Sequence, residues 1–219
     1  MCATSVTAVA GARATAAEGG AMTSGSVTSG EMGTGGPRER MVVHAADLIG
    51  RDGVAATSIG DVIAASSAPR GSIYHHFPGG KTQLMTEAVG YAGDFISNRI
   101  TREGSATPAE AVIEIGNVWR RMLVNTDFEF GCPVLAGGLA RRSEPEVADA
   151  AAEILVRWTR QISARLVHEG VEPDRADTLA DLIIAAIEGA VGLCQTRRSV
   201  DPLDRVIDEL ARICATAAP

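Results

Sequence analysis

A chain of 219 residues with 46% hydrophobic residues can bury one or two ordinary cores, which excludes fibrous and wholly disordered proteins. Aromatic residues make up only 4%, so closely packed helices are favoured over an aromatic-rich β-sandwich. The four cysteines stand far apart and form no CxxC pair, which argues against a zinc finger and a disulfide scaffold. No apolar stretch reaches about 18 residues, so no membrane partner is expected.

The net charge of −7 argues against a nucleic-acid partner only if the charge is spread evenly. Residues 37–103 carry seven basic and seven acidic side chains, whereas residues 104–219 carry twelve basic and eighteen acidic ones. A DNA-binding surface needs local positive charge rather than a basic chain. The neutral segment contains Lys81, the only lysine of the chain. The uneven charge distribution is therefore compatible with a nucleic-acid partner.

Residues 1–36 are predicted to form a disordered tail. They consist mostly of Gly, Ala, Ser and Thr, and cannot bury enough apolar surface to offset the entropy of ordering. The tail lacks the basic start and the apolar run of a secretory signal, so a cytoplasmic protein is expected. Met22 and Met32 leave open a later start site.

Three helical segments are predicted after the tail, a longer one followed by two short ones. A helix of about 15 residues ends near Asp52–Gly53, because apolar residues repeat at helical spacing before that point. These residues are Val42, Ala45, Ala46 and Ile49. Ser58 and Asp61 form a variant of the capping box and begin a second helix. A break at Ser66–Pro69 precedes a third segment from Arg70 to Phe77.

The rest of the chain is also predicted to be helical. Lys81 to Arg102 forms one long helix, and three later starts combine a capping residue with an early proline. These starts are at Thr107–Pro108, Ser143–Glu144–Pro145 and Asp201–Pro202. Two late helices, about 173–198 and 201–216, each carry one apolar stripe. The stripes comprise Leu179, Leu182, Ile183, Ala186, Ile187, Ala190 and Cys194, then Leu203, Val206, Ile207, Leu210 and Cys214. Since no convincing period-2 run is present, the sequence predicts an all-α protein of roughly nine helices.

Two short helices with a sharp break, behind a longer supporting helix, are typical of a helix-turn-helix, whose last helix enters the major groove of DNA. Ile73 and Phe77 lie one turn apart and can anchor that helix inward. Gly71 permits close approach to DNA, and Arg70 can form two hydrogen bonds with guanine. The remaining candidates for DNA contact on this helix are Ser72, Tyr74, His75 and His76. Tyr74 and His75 can donate to phosphates, and Lys81 can bind a phosphate beside the free amides of the next helix.

The segment from about Arg38 to Leu84 resembles the TetR/AcrR family of transcriptional regulators. The matching residues are Ala46, Gly53-x-x-x-Thr57-Ser58-Ile59, Gly71-Ser72-Ile73-Tyr74-His75-His76-Phe77, Lys81 and Leu84. Pro78–Lys81 and the later Gly131–Val134 are similar to the LmrA/YxaF-type branch. Ala68–Pro69 departs from the family pattern, in which a longer turn residue often precedes the recognition helix, so no base preference is transferred.

The resemblance implies a three-helix DNA-binding domain at 37–83 and a helical effector-binding and dimerisation domain at 84–219. It also implies contacts to the DNA backbone from Thr57, Tyr74 and Lys81, and groove contacts from Arg70 to Ser72. His75 is expected near a phosphate. The predicted DNA-binding set is Thr57, Ser58, Arg70, Gly71, Ser72, Tyr74, His75 and Lys81.

Plainer interpretations of these residues stay open. Capping alone explains Thr57 and Ser58, while packing would explain Tyr74 and surface charge would explain Lys81. The adjacent His75 and His76 point about 100° apart on a helix, which is poor geometry for joint metal ligation. No metal and no cofactor are therefore expected.

Apolar bulk is concentrated in the middle helices, where a cavity would suit a mostly apolar small molecule. The predicted effector-binding set is Trp119, Met122, Leu123, Phe130, Leu135 and Trp158. Core packing alone also explains this set. Glu188, Gln195 and Arg120 are candidate polar partners. Cys132 is a candidate reactive thiol, although nothing in the sequence indicates a depressed pKa.

The leading hypothesis is a homodimeric transcriptional repressor that binds a pseudo-palindromic operator in double-stranded DNA. A small lipophilic effector would release it, and the two late stripes would form a four-helix dimer interface. One alternative is a helical enzyme that uses Cys132 or a histidine, although no spacing indicates a catalytic triad. Another is a helical protein-interaction module, which would show no salt-dependent affinity for DNA.

Overall fold

The computed structural model describes residues 35–101 and 107–217, and across these two ranges the chain forms nine α-helices and no strand. The all-α prediction is confirmed. Within the same ranges, no helix is both long enough and apolar enough to span a membrane. The predicted tail lies outside the described residues as far as residue 34.

The first helix, α1, spans Pro37–Ala56 and begins with proline at its first position, where the missing N–H costs no hydrogen bond. Gly53 interrupts it with φ 79° and ψ 167°, at the predicted end, and one further turn follows. Helix α2 spans Ile59–Ser66 and begins with the predicted capping box. A 3-10 turn at Arg70–Ser72 leads into α3, Ile73–His76.

The buried side chains of these three helices belong to the hydrophobic core that continues through the rest of the described chain. They include Val42, Ile49, Val62, Ile73 and Phe77. Ser67 ends α2 in the left-handed region, with φ 52° and ψ 32°, which turns the chain sharply. Both the amide and the hydroxyl of Ser72 donate to the carbonyl of Pro69, at 2.9 and 2.7 Å. The direction of α3 is therefore fixed by a hydrogen-bonded turn and by two buried anchors, Ile73 and Phe77.

Six further helices complete the chain. They are α4 (Gly80–Ile100), α5 (Pro108–Asn125), α6 (Pro133–Leu139), α7 (Pro145–His168), α8 (Pro173–Arg197) and α9 (Asp201–Ala217). Helices α5 to α8 each begin with a proline, and the predicted capping box of Thr107 and Glu110 is formed. The predicted starts at 107, 143 and 201 are confirmed to within one or two residues. Helix α4 packs on both α1 and α7 and thereby joins the helix-turn-helix to the later helices.

The two late apolar stripes pack inside the chain, so their predicted place at a dimer interface is wrong. Ile187 and Leu210, which were expected to meet a second copy, are buried within the chain. Helix α9 packs on both α5 and α8. A methyl group at Gly116 of α5 would lie 2.5 Å from Cγ1 of Ile207, which shows how closely α5 and α9 approach. Leu182 is the exception, because it points outward and is 42% exposed.

Gly53 provides a direct test of the break in α1. An alanine there must adopt positive φ, so we expect Gly53→Ala to lower the free energy of unfolding by about 1–2 kcal/mol. Gly90→Ala is the matched control, because Gly90 lies within α4 and no atom lies within 4 Å of the added methyl. The control should raise stability by about 0.5–1 kcal/mol. Urea denaturation followed by circular dichroism measures both, and equal shifts of the two variants would contradict this account.

Candidate nucleic-acid interface and the cavities behind it

The outer face of the 3-10 turn and α3 consists of Gly71, Tyr74 and His75. Tyr74 is 67% exposed, although it lies next to the fully buried Ile73. No atom lies within 4 Å of a methyl group placed at Gly71, so another molecule can approach this backbone closely. His75 is exposed, and its ring meets the edge of the His76 ring at 5.2 Å between centroids. The helix therefore presents donors and open backbone on the side opposite its anchors.

Ser72 and Arg70 differ from these three residues. Ser72 is half-buried, and its hydroxyl is already donated to Pro69. The side chain of Arg70 lies outside the described part of the structure. The backbone of Arg70 begins the 3-10 turn before α3.

Thr57 and Ser58 have different environments although they are adjacent. Thr57 is only 2% exposed, and its hydroxyl donates to the carbonyl of Gly53 at 2.8 Å. The Thr57 hydroxyl therefore has an internal hydrogen-bonding role at the end of α1 and almost no contact with solvent. Ser58 is exposed and caps α2 by accepting from the amide of Asp61 at 3.2 Å. The hydroxyl and the amide of Ser58 both donate to the Asp61 carboxylate and lower its pKa.

Lys81 lies in the first turn of α4 and faces a carboxylate from α7. Its Nζ is 3.6 Å from Oε1 of Glu144, the residue that precedes α7. Thr82 donates its hydroxyl to the other oxygen of Glu144 at 3.3 Å. The lysine predicted to bind a phosphate is thus already paired with an acidic residue. Sequence reasoning found both residues but not this contact, because 63 positions separate them.

The side chains of two arginines of α1 also form contacts within the chain. Arg38 donates to both carboxylate oxygens of Glu87 at 2.7 Å, and its guanidinium lies 5.0 Å from the ring centroid of Phe77. Arg40 donates to the carbonyl of Ser66. These contacts fasten α1 to α4 and to the end of α2, so both cations stabilise the helix-turn-helix from within.

Behind the helix-turn-helix lies an apolar cavity that we call the α1 cavity, with about 400 Å³ of space not filled by atoms, including its mouth. Its lining consists of Ala46, Tyr91, Ala92, Phe95, Ile96, Trp119, Met122, Phe130, Cys132, Pro133, Val134 and Trp158. Four residues of the predicted effector set therefore line one cavity: Trp119, Met122, Phe130 and Trp158. Leu123 and Leu135 do not line it, since Leu123 is fully buried in the core and Leu135 packs against the core from α6.

A second cavity, which we call the α8 cavity, adjoins the first and has about 350 Å³ of space not filled by atoms, including its mouth. The two share Ile96, Trp119 and Trp158. The other residues that line the α8 cavity are Ile100, Ile115, Ile162, Ile183, Ile184, Ile187 and Glu188. Glu188 is the one ionisable side chain in this lining.

The polar groups around these cavities have partners. The indole N–H of Trp158 donates to the carbonyl of Gly93 and to the hydroxyl of Ser97, both at 3.1 Å. The thiol of Cys132 donates to the Glu188 carboxylate, and its sulfur accepts from the amide of Leu135 at 3.4 Å. Burial raises the pKa of Cys132 well above its ordinary value, and the nearby Glu188 raises it further. This thiol is therefore protonated at neutral pH, which argues against a reactive thiolate.

The residues around the α1 cavity also pack directly on helix α1. Phe130 lines the cavity, and a methyl group at Gly50 of α1 would lie 2.4 Å from Cε2 of its ring. The amide of Gly131 donates to the carbonyl of Gly50 at 2.8 Å. Arg51 joins Asp47 of α1 to Glu129, at 3.2 and 3.1 Å. The loop before α6 is thus fastened to the supporting helix of the helix-turn-helix.

A helix-turn-helix in front of a helical bundle with an internal cavity defines a DNA-binding transcriptional regulator. Two family models match the chain: "Bacterial regulatory proteins, tetR family" over residues 42–88, and "Transcriptional regulator LmrA/YxaF-like, C-terminal domain" over residues 108–209. The chain belongs to the TetR family, with a C-terminal domain of the LmrA/YxaF type. This confirms the resemblance, and it sets aside the enzyme and the interaction module, since the members are transcriptional regulators.

Relatives and solved structures agree with this assignment. An uncharacterized HTH-type transcriptional regulator of Mycobacterium tuberculosis is 43% identical over 192 residues, which cover 84% of this chain and 97% of the relative. LmrA of Bacillus subtilis, an HTH-type transcriptional regulator, is 32% identical over 78% of this chain and 93% of its own length. A TetR transcriptional regulator from Chloroflexus aurantiacus has a TM-score of 0.67 and 28% identity, covering 82% of this chain and 94% of its own. The TetR regulatory protein from Rhodobacter sphaeroides, at 18% identity, shares the fold with a TM-score of 0.71 over 81% of this chain and 98% of its own.

The packing of Phe130 on Gly50 can be tested by a double-mutant cycle. We expect Gly50→Ala to destabilise the protein by about 1–3 kcal/mol, because the added methyl overlaps the ring. Phe130→Ala creates a cavity, and the double variant should be more stable than the sum of the two single changes predicts. Gly138→Ala is the control, since its methyl would meet Ala151 at an ordinary 3.9 Å. Urea denaturation gives all four values, and strict additivity would show that the two residues are not coupled.

Proposed function

We propose that the protein is a repressor that binds a pseudo-palindromic operator as a homodimer, in the cytoplasm, and leaves it when a small lipophilic molecule occupies the α1 cavity. Residues 37–83 bind DNA, and residues 84–219 bind the effector and dimerise. The observation that carries the proposal is that Ala46 of α1 lines this cavity while Phe130, also in its lining, packs on Gly50. An occupant therefore touches the helix that supports the helix-turn-helix.

The proposed DNA contacts fall into two kinds. Tyr74, His75 and Lys81 bind phosphates and position the protein, whereas the segment Arg70–Ser72 meets base edges in the major groove. The exposure of Tyr74 and His75 and the open backbone at Gly71 support this assignment. Ser58 lies at the exposed N-terminus of α2, where free amides attract a phosphate. Thr57 acts indirectly, through the end of α1 that its hydroxyl stabilises.

The proposed release from DNA depends on α1 and α4, the two helices that reach both the helix-turn-helix and the α1 cavity. Helix α4 begins beside Lys81 and contributes Tyr91, Ala92, Phe95 and Ile96 to the cavity wall. Helix α1 contributes Ala46 and supports α2 and α3. An effector that separates the cavity walls shifts both helices, and in a dimer this changes the distance between the two recognition helices. The effector favours the released state by its higher affinity for that state.

The outward face of α8 is the proposed dimer surface. It carries an uncharged exposed stripe of Leu182, Ala185, Gly189, Gly192 and Leu193. No atom lies within 4 Å of methyl groups placed at Gly189 or Gly192, so a helix of a second copy can approach closely. The outward face of α9 is charged instead, with Arg205, Asp208, Glu209 and Arg212 exposed. Apolar contact between copies is thus available on α8 rather than α9.

The DNA-binding proposal is tested with a duplex that the protein selects from a random-sequence pool. We expect an inverted repeat, because a two-fold dimer reads two half-sites of opposite direction. Lys81→Ala should reduce the slope of log affinity against log salt by about one unit, on specific and nonspecific DNA alike. Glu144→Gln should strengthen DNA binding, because it removes the carboxylate that competes for Lys81.

Fluorescence anisotropy measures these affinities, with Arg205→Ala as the control. Arg205 is an exposed cation of α9, and its loss should leave the slope unchanged. An unchanged slope in Lys81→Ala would remove Lys81 from the phosphate contacts. A selected site without inverted symmetry would contradict the dimeric mode of binding.

The dimer surface is tested by placing charges on two sides of α8. Leu193 is 44% exposed, so Leu193→Lys should keep the fold and give monomers with much weaker operator binding. Ile187→Lys buries its charge within the chain and should unfold the protein instead. Glu209→Lys, on the charged face of α9, should remain a dimer. Sedimentation equilibrium with circular dichroism separates these outcomes, and a dimeric Leu193→Lys would move the interface elsewhere.

A further inference from the structure

Glu188 is an acidic side chain in an otherwise apolar wall. The α8 cavity brings it together with isoleucines and with Trp119 and Trp158. In the described ranges, no lysine, arginine or histidine forms a hydrogen bond or an ion pair with it. Within the described part of the chain, Glu188 is half-buried and its hydrogen-bond partner is the thiol of Cys132, a weak donor. A carboxylate in this position lacks the cation that would offset its loss of water.

The pair of Glu188 and Cys132 stands where the two cavities meet. Cys132 lines the α1 cavity, whereas Glu188 lines the α8 cavity. Both tryptophans, the only two in the chain, line both cavities. A molecule that fills the shared space therefore lies between aromatic rings and has a carboxylate at its side. Aromatic faces and a carboxylate both attract an organic cation.

We infer that the effector of this protein is a lipophilic organic cation, such as an arylalkylamine, whose charged group pairs with Glu188 while its apolar body lies beside Trp119 and Trp158. The inference rests on the proposed function and narrows its class of effector. Neutral lipophilic molecules of the same shape would occupy the same space without the ion pair. They are the alternative that the experiment distinguishes.

The titration of Glu188 gives this inference a pH dependence with a definite sign. Burial raises the pKa of Glu188 to about 7, against the opposing effect of the Cys132 thiol. The other groups that face it do not titrate near neutrality, because Cys132 has a raised pKa and the rest of the lining is apolar. Arg165 lines a neighbouring cavity and not this one. A cation binds the ionised form of Glu188, so its affinity rises with pH through this range.

The experiment compares 4-phenylbutylamine with 4-phenylbutan-1-ol on the full-length protein, with tryptophan fluorescence as the readout. We expect the amine to bind about tenfold more tightly than the alcohol at pH 8, because the ion pair with ionised Glu188 adds a Coulomb attraction that the neutral alcohol lacks. Between pH 6 and pH 8 the affinity for the amine should rise about tenfold, and the affinity for the alcohol should not rise. This pH profile needs only the wild-type protein.

Glu188→Gln removes the charge and keeps the shape of the side chain. It should no longer prefer the amine at any pH, because the ammonium would lose its hydration without gaining an anionic partner, and its retained affinity for the alcohol shows that the cavity is intact. Glu209→Gln, on the exposed face of α9, is the matched control and should keep the preference for the amine. Equal binding of both probes by the wild-type protein, or a retained preference in Glu188→Gln, would overturn the inference and leave the cavity as an effector site. If neither probe binds at any concentration up to its solubility, the cavity is no ligand site, and both the inference and the proposed release mechanism fail.

Discussion

The contact between Phe130 and Gly50 is the constraint on which the rest of the structure depends. Glycine leaves α1 without a side chain at this point, so the aromatic ring reaches the helix backbone directly. The same ring is part of the α1 cavity. The hydrogen bond from Gly131 to Gly50 and the ion pairs of Arg51 hold the loop in this position. Because packed interiors respond to added volume by discrete shifts, the proposed effector would displace α1 when it occupies this cavity.

Electrostatics connect the same two halves of the protein. The acidic surplus of the chain lies in residues 104–219, and one of its carboxylates, Glu144, reaches the single lysine in α4. Under the proposed function, a DNA phosphate would replace Glu144 as the partner of Lys81. This proposed exchange would connect the position of α7 to DNA binding. A net negative charge is therefore compatible with a DNA-binding role, since the local balance around Lys81 decides the contact.

Local signals in the sequence predicted the helix starts well. Prolines and capping residues act within one turn, so the start at Thr107 and the capping box of Ser58 could be identified without tertiary information. The anchors Ile73 and Phe77 were also predictable, because they lie one turn apart on a short helix. The Glu188–Cys132 pair was not, since its members are 56 positions apart and nothing local joins them.

The apolar stripes on α8 and α9 show what hydrophobic periodicity cannot predict. An apolar stripe indicates that a helix face is buried, but not whether its partner is the same chain or a second copy. Ile187 faces the cavity of its own chain. The outward stripe around Gly189 was missed because two of its five residues are glycines, which have no side chain to mark an apolar face. Periodicity also does not separate adjacent apolar residues, since of Met122 and Leu123 only Met122 lines the α1 cavity.

The most direct test of the coupling between cavity and DNA measures two signals in one titration. The protein is bound to a labelled duplex that it has selected, and 4-phenylbutylamine is added while tryptophan fluorescence and DNA anisotropy are recorded together. Linkage requires that a ligand which weakens DNA binding is itself bound more weakly in the presence of DNA. The account predicts that anisotropy falls as the tryptophan signal reports occupation of the cavity, and that DNA weakens the affinity for the amine by the same factor. A filled cavity with unchanged DNA affinity would contradict it.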